Sequence, residues 1–335
     1  MTSRAYVSSN EIPEQAVAII REVARVKIHG ADGPPSREEL LREVAEVDGL
    51  FCLLTERIDG ELLDAGKNLK IVASMSVGHD HVDLDAATER GVMVTNTPGV
   101  LTEAVADATF GLILAVARRI VEGDRYLRDG AWRLKWSPMM MVGRDVHGRT
   151  LGIYGMGRIG ISVAERARGF GMRVVYHNRS RNEEIERVVG AEYLSKEEMM
   201  RESDFLSVHV PLNKETRNSI GRKELAMMKD TAYLINTSRG GVVEERALID
   251  ALQRGIIAGA ALDVFEKEPV EMDNPLLKMK NVVLTPHIGS GSIESRTGMA
   301  VLAAKNLAAA LMGTRPPNLL NADAFRERGV NTNAL

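Results

Sequence analysis

The chain has 335 residues, of which 44% are hydrophobic and 27% are charged. This is the composition of an ordinary globular protein, and it excludes a disordered or fibrous chain; at roughly 150 residues per domain, the length predicts two domains. The 43 Lys and Arg residues are offset by 46 Asp and Glu residues, so we expect neither nucleic acid nor an anionic membrane as a partner.

The single cysteine, Cys52, excludes an internal disulfide. The first ten residues lack the apolar stretch behind a basic start that a secretory leader needs. The longest apolar run, Phe110–Ala117, is far shorter than the roughly 20 residues of a membrane-spanning helix. We therefore expect no membrane span and a reducing, cytoplasmic location.

Short β-rich runs alternate with helical patterns in the first hundred residues, as in α/β folds with parallel sheets. Strands are predicted at 24–28, 49–54, 70–73 and 92–95, and helices at 12–21, 36–43 and 84–90. A second series follows, with strands predicted at 151–154, 173–176, 205–209, 232–236, 258–262 and 282–285. Two parallel sheets are therefore expected.

Two long helices are predicted beside the second series. Apolar residues recur at helical spacing over residues 101–123, and a helix over 292–313 is followed by Gly313 and two prolines, which give a stop. We expect these helices to cross between two domains. The polar tail, residues 318–335, is expected to be loosely ordered.

A glycine-rich turn is the most informative local feature of the sequence. Gly155, Gly157 and Gly160 form a GxGxxG pattern between a predicted strand and a predicted helix. In that setting the glycines allow a tight turn, close approach of a pyrophosphate and close packing of helix on strand. The predicted cofactor contacts at this turn are Gly155, Met156, Gly157, Arg158, Ile159 and Gly160.

The two strand series, the two long helices and the turn together predict the fold class, an α/β protein with two parallel-sheet domains. A Rossmann dinucleotide-binding domain, residues 101–288, is inserted into a discontinuous flavodoxin-like substrate domain. That second domain is formed by residues 1–100 and the return at 289–335, which includes the tail.

The choice of nucleotide depends on the end of the next predicted strand, where NAD enzymes place an acidic residue. This chain has no carboxylate there, and Asn178, Arg179 and Ser180 could instead contact a 2′-phosphate, with Arg179 or Arg181 as the charge partner. We predict NADP(H) as the preferred cofactor and NAD(H) as a possible one. The alternative is a solvated basic loop on a protein that prefers NAD.

Three polar segments each follow a predicted strand of the second series, and they contain Arg239, Glu268 and His287. Because ligands bind beyond the carboxyl ends of parallel strands, the three side chains can converge. Taken singly, they could be a surface charge, a loop carboxylate and a core histidine. Behind one glycine turn they predict a catalytic set, and Thr237, Ser238 and Asp263 of the same segments are predicted cofactor contacts.

These segments together resemble the D-isomer-specific 2-hydroxyacid dehydrogenase family over about residues 45–315. The resemblance rests on the SVGHDHVD run at 76–83, the glycine turn, NTSRG at 236–240, Glu268-Pro269 and PHIG at 286–289. Within the family the chain is most similar to glyoxylate/hydroxypyruvate reductases, through LTERI at 54–58, WRLKWSP at 132–138 and YHNR at 176–179.

The resemblance implies an NAD(P)H-dependent reduction of a small 2-oxo acid, glyoxylate to glycolate or hydroxypyruvate to D-glycerate. His287 is the natural general acid, Glu268 would orient its ring and favour the protonated form, and Arg239 would bind the substrate carboxylate and polarise the carbonyl. By resemblance, the N–H groups near Val77 and Gly78 also hold that carboxylate. Further predicted substrate contacts are Arg239, His287 and Ser290, although Ser290 could instead be a local cap.

Several alternatives stay open. The chain could be another D-2-hydroxyacid dehydrogenase, acting on D-lactate or D-3-phosphoglycerate, or a non-catalytic dinucleotide-sensing regulator similar to transcriptional corepressors. The His79–Asp83 run could suggest a metal site, but adjacent side chains on a loop diverge, and we expect no metal. Trp132 and Trp136 are expected to be buried; in related reductases a Trp of this region reaches the neighbouring subunit, and we expect a homodimer.

Overall fold

The computed structural model describes residues 2–327, which fall into two compact units. One unit comprises the chain up to Leu101 and from Ser292 onward, and the other comprises Thr102–Gly291. Residues 328–335 of the predicted tail lie outside the described residues. The part of the tail that is described is ordered, since Ala322–Glu327 form a helix and Asn321 is buried.

The first unit contains a five-stranded sheet in which every pairing is parallel. Its strands are β1 (Ser3–Val7), β2 (Ala24–Ile28), β3 (Gly49–Cys52), β4 (Ile71–Ser74) and β5 (Met93–Thr95). Their order, β2-β1-β3-β4-β5, is the flavodoxin-like order. Strands β3, β4 and β5 are buried along their whole length, as expected for a parallel sheet covered on both faces.

Helices cover both faces of this sheet. They are α1 (Glu14–Arg21), α2 (Arg37–Val44), α3 (Gly60–Ala65), α4 (Leu84–Glu89), α12 (Ile293–Leu311) and α13 (Ala322–Glu327). Four of them start at side-chain caps: Ser36, Asp59, Asp83 and Ser292 each accept a hydrogen bond from the N–H three residues on, which satisfies a donor the helix leaves unpaired. Leu307 of α12 packs closely on Gly49 of β3.

The second unit contains a seven-stranded parallel sheet. Its strands are β6 (Thr150–Tyr154), β7 (Arg173–His177), β8 (Ala191–Tyr193), β9 (Phe205–Val208), β10 (Tyr233–Asn236), β11 (Gly259–Leu262) and β12 (Val282–Leu284). The order β12-β11-β10-β9-β6-β7-β8 is that of a Rossmann fold extended by one strand. The chain reverses direction across the sheet between β6 and β9, where such folds bind dinucleotides.

Two apolar clusters cover the faces of this sheet, one containing Phe110 and Val163 and the other containing Met199 and Leu248. The helices are α5 (Thr102–Ala117), α6 (Ile120–Arg128), α7 (Arg158–Gly169), α8 (Glu183–Val189), α9 (Lys196–Glu202), α10 (Arg222–Leu225) and α11 (Glu245–Gln253). The predicted fold class is therefore confirmed: both sheets are parallel, and helices alternate with their strands. No helix within residues 2–327 combines the length and apolarity needed to cross a membrane.

The long helix predicted at 101–123 is wrong in one respect, because it is two helices. Arg119 has a φ of 55°, which breaks the α-helical path, and its guanidinium pairs with Glu122 in the first turn of α6 at 2.7 Å. Strands β1 and β8 and helix α3 were not predicted.

Candidate active site

The glycine turn after β6 is built so that two of its glycines cannot carry a side chain. Gly155 has a φ of 104°, and a Cβ there would lie 2.6 Å from the Val210 nitrogen. A Cβ on Gly160 would overlap the Gly155 carbonyl. These contacts bring α7 and the β9 loop close to the turn, as a dinucleotide-binding turn requires.

Gly157 differs, because a Cβ there would meet no atom within 4 Å. Gly157 is exposed and caps α7 without a side-chain hydrogen bond. The first N–H groups of α7 have no intrahelical partner, and they carry the positive end of the helix dipole. Space and donors therefore fit a pyrophosphate over Gly157, exposed Arg158 and half-buried Ile159, whereas the Met156 side chain is buried.

The predicted phosphate contacts in the loop after β7 differ in their partners and exposure. Asn178 accepts a hydrogen bond from the Met156 N–H at 2.7 Å, so its amide joins the loop to the glycine turn. Arg181 makes two 2.8 Å hydrogen bonds with Glu186. Arg179 is 88% exposed and its nearest acid, Glu215, is 3.6 Å away. Ser180, which is also exposed, lies beside Arg179.

A buried amide shapes the loop that carries Arg239. The Asn236 side chain accepts hydrogen bonds from the Ser238 N–H and hydroxyl at 3.0 and 2.9 Å and donates to the Arg239 carbonyl at 2.9 Å. The Arg239 guanidinium also donates to the Ser238 carbonyl at 2.8 Å. Thr237 shares a 2.8 Å hydrogen bond with Thr109 of α5. The role of Asn236 was not predicted; its signal was a polar residue ending an apolar strand.

Asp263, predicted as a cofactor contact, forms hydrogen bonds with the loop that carries His287. Its side chain is buried and accepts hydrogen bonds from the Thr285 hydroxyl at 2.6 Å, the Ile288 N–H at 2.8 Å and the Gly289 N–H at 2.7 Å. The loop needs this support because His287 has a φ of 54°, a left-handed conformation that is uncommon for a residue with a side chain.

His287 and Glu268 form the closest pair of predicted catalytic residues. Nδ1 of His287 lies 2.7 Å from Oε2 of Glu268, and both side chains are partly exposed. Burial raises the pKa of Glu268, but hydrogen bonds from His287 and the Phe265 N–H, with the positive charges of His287 and Arg239, lower it below its usual value. Glu268 is therefore a carboxylate near neutral pH, and the Nε2 edge of the imidazole is left for another partner.

Arg239 belongs to the same cluster. Its charge is near enough to Glu268 to lower the pKa of that carboxyl. The next residue, Gly240, is packed so tightly on Phe265 that a Cβ would overlap the Phe265 carbonyl group. The ends of β10, β11 and β12 thus bring Arg239, Glu268 and His287 together within one unit.

A second histidine of this unit, His209, follows β9 beside the glycine turn. Burial lowers the pKa of His209 to about 4, and its Nε2 is 2.8 Å from the Ser207 hydroxyl. A ring that is neutral at pH 7 is a poor proton donor, so His209 is a poor candidate for a general acid.

Val77 and Gly78 lie in the first unit, in the loop after β4, and are partly exposed. Within residues 2–327 the N–H groups of these two residues have no hydrogen-bond acceptor. Two adjacent free donors fit a carboxylate. Two side chains of the neighbouring polar run, residues 79–83, have structural contacts: Asp83 caps α4, and His81 contacts the Ser74 hydroxyl at 3.0 Å. In the part of the chain that the structure describes, no group of three or more His, Cys, Asp or Glu is placed to hold a metal.

Ser290 is half-buried, and its hydroxyl has no hydrogen-bond partner among the described residues. The cap of α12 is Ser292, which accepts from the Ser295 N–H at 3.0 Å. The predicted alternative that Ser290 is a local cap is therefore wrong.

The expectation that both tryptophans are buried is also wrong. Trp132 is 51% exposed and Trp136 is 76% exposed. They belong to an apolar strip on residues 120–142, all of it in the second unit. The members of this strip are Ile120, Leu127, Trp132, Leu134, Trp136, Met139 and Val142. These side chains place much of their apolar surface in solvent.

Comparison with known proteins identifies the family and several relatives of this chain. A family model for the NAD binding domain of D-isomer specific 2-hydroxyacid dehydrogenases matches residues 110–289. A glyoxylate reductase of Korarchaeum cryptofilum is 51% identical over 328 residues, covering 98% of each chain. A solved structure of a protein from Thermus thermophilus has a TM-score of 0.88 at 46% identity, covering 95% of this chain and 99% of that one.

A further solved structure is an NADPH-dependent glyoxylate/hydroxypyruvate reductase from Sinorhizobium meliloti in complex with NADP and malonate. It has a TM-score of 0.84 at 32% identity, and the match covers 100% of both chains. These similarities extend over nearly the whole chain.

Proposed function

The chain belongs to the D-isomer-specific 2-hydroxyacid dehydrogenase family, and from this premise we propose that it reduces glyoxylate to glycolate and hydroxypyruvate to D-glycerate, with NADPH as the preferred reductant. The observation that carries the proposal is the cluster of His287, Glu268 and Arg239 at the carboxyl ends of three neighbouring strands. We assign NAD(P) binding to the second unit and substrate binding to the first.

The residues supply the acid chemistry of the reaction. NADPH, when bound over the glycine turn, supplies the hydride. His287 donates a proton from Nε2 to the carbonyl oxygen as negative charge develops there. Glu268, on Nδ1, holds the ring orientation and stabilises the imidazolium. These separate roles follow from the 2.7 Å contact.

Substrate binding in this proposal depends on charge and on free donors. Arg239 can make two parallel hydrogen bonds to a carboxylate and polarise the adjacent carbonyl. In the first unit, the unpaired N–H groups of Val77 and Gly78 are donors suited to a carboxylate; in the second unit, the Ser290 hydroxyl is a further contact. A small 2-oxo acid has the required groups, and the relative solved with malonate binds a small carboxylate.

The proposal is tested by a substrate panel run with both cofactors. We expect saturable oxidation of NADPH with glyoxylate and hydroxypyruvate, and chiral analysis should show D-glycerate from the latter. Faster turnover of pyruvate or 3-phosphohydroxypyruvate would move the assignment to another D-2-hydroxyacid dehydrogenase. Folded protein that binds NADPH but turns over none of these acids would be a dinucleotide sensor.

The preference for NADPH is proposed from the loop after β7. Asn178 stands where NAD enzymes have an acid that accepts from the ribose 2′-OH, and its amide is engaged by the Met156 peptide. Arg179 is the cation of this loop that a phosphate can recruit, because its exposed contact with Glu215 is weak whereas Arg181 is held by Glu186.

Replacing Arg179 with alanine is expected to raise the KM for NADPH by about 10- to 100-fold, because a charge-assisted hydrogen bond to the 2′-phosphate is lost. The KM for NADH should change by less than about threefold, since NADH lacks that phosphate. Arg181→Ala is the matched control, because it removes the same side chain two positions away and should leave both values nearly unchanged. Equal losses with NADPH and NADH for Arg179→Ala would remove the proposal.

Replacing Glu268 with glutamine tests the coupling to His287. Because the pKa of Glu268 is lowered, the carboxylate is charged throughout the neutral range and favours the protonated imidazole that reduction requires. Without the charge, the alkaline limb of kcat/KM for reduction should move to lower pH. Glu266→Gln removes an equal charge from the same loop and should leave the limb in place. An unshifted limb in Glu268→Gln would show that the pair is uncoupled.

A homodimer is proposed from the apolar strip on residues 120–142. Its tryptophans are the residue type most enriched at the centre of protein interfaces. Sedimentation equilibrium checks this directly, and a monomer at micromolar concentration would contradict it.

A reducing, cytoplasmic location is proposed because Cys52 is the only cysteine.

A further inference from the structure

The loop of residues 265–274, which carries Glu268, has little buried apolar surface of its own. Residues 266–269 and 271–273 are exposed, whereas Val270 packs against the apolar cluster on one face of the sheet. A loop with few buried contacts opens easily unless hydrogen bonds hold it. The position of Glu268 therefore depends on the hydrogen bonds at the two ends of this loop.

Glu245, the first residue of α11, makes one of these hydrogen bonds at each end. Its side chain accepts from the Glu266 N–H at 3.1 Å through Oε2 and from the Asn274 amide at 2.8 Å through Oε1. Asn274 in turn accepts from the Leu276 N–H at 3.0 Å, and Leu276 is buried in the core. The two oxygens of a single half-buried carboxylate thus hold both ends of the loop.

Glu245 also belongs to the chain segment that carries Arg239. A single turn of 3-10 helix, Gly240–Val242, and two further residues separate Arg239 from the start of α11. The carboxylate of Glu245 therefore joins the segment that carries the guanidinium to the loop that carries Glu268. Hydrogen bonds to a charged acceptor are shorter and stronger than those between neutral groups, which suits a link between two catalytic segments.

The hydrogen bond from Glu266 to Glu245 lies next to the one that holds Glu268. The Phe265 N–H donates to Oε1 of Glu268 at 3.0 Å, and the following N–H, that of Glu266, donates to Glu245. Fixing the second N–H fixes the backbone beside the first. Glu268 is then left with Oε2 at 2.7 Å from Nδ1 of His287.

Few other charges can take over this arrangement. The positive groups that act on Glu268 are His287 and Arg239, whereas Lys267 of the same loop is paired with Glu271. The orientation of the Glu268 carboxylate is thus set by its own loop, and the ends of that loop are set by Glu245.

We propose that Glu245 is a positioning residue, which holds both ends of the loop of residues 265–274 and so places Glu268 against His287. The inference rests on the proposed function, because the placement matters for the proton that His287 donates in that reaction. Glu245 acts on the reaction through Glu268.

Replacing Glu245 with glutamine tests this role. Glutamine keeps the shape, but its side chain has one acceptor oxygen and an NH₂ group that would face a donor of the loop. We expect the alkaline limb of kcat/KM for glyoxylate reduction to move to lower pH, in the direction of Glu268→Gln but less far. The Kd for NADPH should be unchanged, and kcat well below the limb should fall by less than about threefold.

Glu244→Gln is the matched control. Glu244 precedes Glu245 at the same end of α11, and its side chain has no hydrogen bond or ion pair among residues 2–327. Both variants remove one negative charge from the positive end of the helix dipole, so they should lower the melting temperature by similar amounts. Glu244→Gln should leave the alkaline limb in place. If Glu245→Gln is insoluble, Glu245→Asp gives the same test, since its carboxylate is one methylene shorter.

The double variant Glu245→Gln/Glu268→Gln isolates the pathway of the effect. If Glu245 acts through Glu268, the double variant should have the same limb as Glu268→Gln alone, because coupled residues do not add. A further shift in the double variant, or an equal shift in Glu244→Gln, would overturn the positioning role.

NMR titration of the His287 ring separates this inference from the proposed function, because it requires no turnover. The His287 signal is assigned by its loss in His287→Asn, and in Glu245→Gln its titration should move to lower pH than in the wild type. An unchanged titration overturns the positioning role, even if glyoxylate is reduced. The expected shift in a protein that reduces no 2-oxo acid would overturn the proposed function and leave the contact between Glu245 and the loop as its cause.

Discussion

Replacing His287 with asparagine is expected to lower kcat for glyoxylate reduction by about 10²- to 10⁴-fold, the usual contribution of a general acid. Asparagine is chosen because it tolerates the left-handed backbone at this position, where φ is 54°. The lost rate then reports the lost proton donor and not a collapsed loop. The Kd for NADPH and the melting temperature should stay close to the wild-type values.

The matched control is His147→Asn, which removes an exposed histidine from the segment before β6 and should leave kcat unchanged. A His287 variant that keeps kcat within about tenfold of wild type would mean that solvent or another group supplies the proton. His209 is an unsuitable substitute, because the pKa of its ring is lowered to about 4 by burial.

Replacing Arg239 with lysine is expected to lower kcat/KM for glyoxylate by about 10²- to 10³-fold even though the positive charge is kept. An ammonium cannot reproduce the paired hydrogen bonds of a guanidinium to a carboxylate. Both KM and kcat should deteriorate, because Arg239 is proposed to bind the carboxylate and to polarise the carbonyl. Steady-state kinetics at saturating NADPH measure the two effects separately.

Arg246→Lys on α11 serves as the control for this substitution, since Arg246 lies on a helix outside the cluster. If Arg239→Lys raised only the KM, Arg239 would contribute to binding and not to the transition state. If neither constant moved, the carboxylate would be bound elsewhere and the proposed arrangement would be wrong.

The parallel sheets were predictable because their central strands are continuous apolar runs between helical patterns, as in Gly49–Cys52 and Phe205–Val208. Of the missed elements, β8 and α3 are short, whereas β1 is a five-residue strand between β2 and β3. Ala191–Tyr193 has three residues and pairs on one side only, so periodicity has little to detect. The break at Arg119 was hidden because apolar spacing continues across it, and its left-handed backbone leaves no mark in the sequence.

The residues of the candidate site were likewise only partly predictable from the sequence. Arg239, Glu268 and His287 could be predicted because their chemistry is unusual and each follows a strand. Asn236, which shapes the Arg239 loop, acts by hydrogen bonds to backbone groups of its own turn, and a polar residue at that position looks like ordinary loop sequence. Trp132 and Trp136 were misplaced because residue type favours burial and a monomer sequence does not show which surface a partner covers.

The central claim of the proposed function is that the cluster of Arg239, Glu268 and His287 directs a hydride to the carbonyl carbon of a small 2-oxo acid. The most direct measurement uses NADPH carrying deuterium at either C4 position in turn, with glyoxylate as substrate and mass spectrometry of the glycolate. Deuterium from one of the two labelled cofactors should appear at C2 of the product, and the His287→Asn variant should form that product far more slowly. Glycolate without deuterium from either cofactor, or no glycolate at all from folded, NADPH-saturated protein, would contradict the claim.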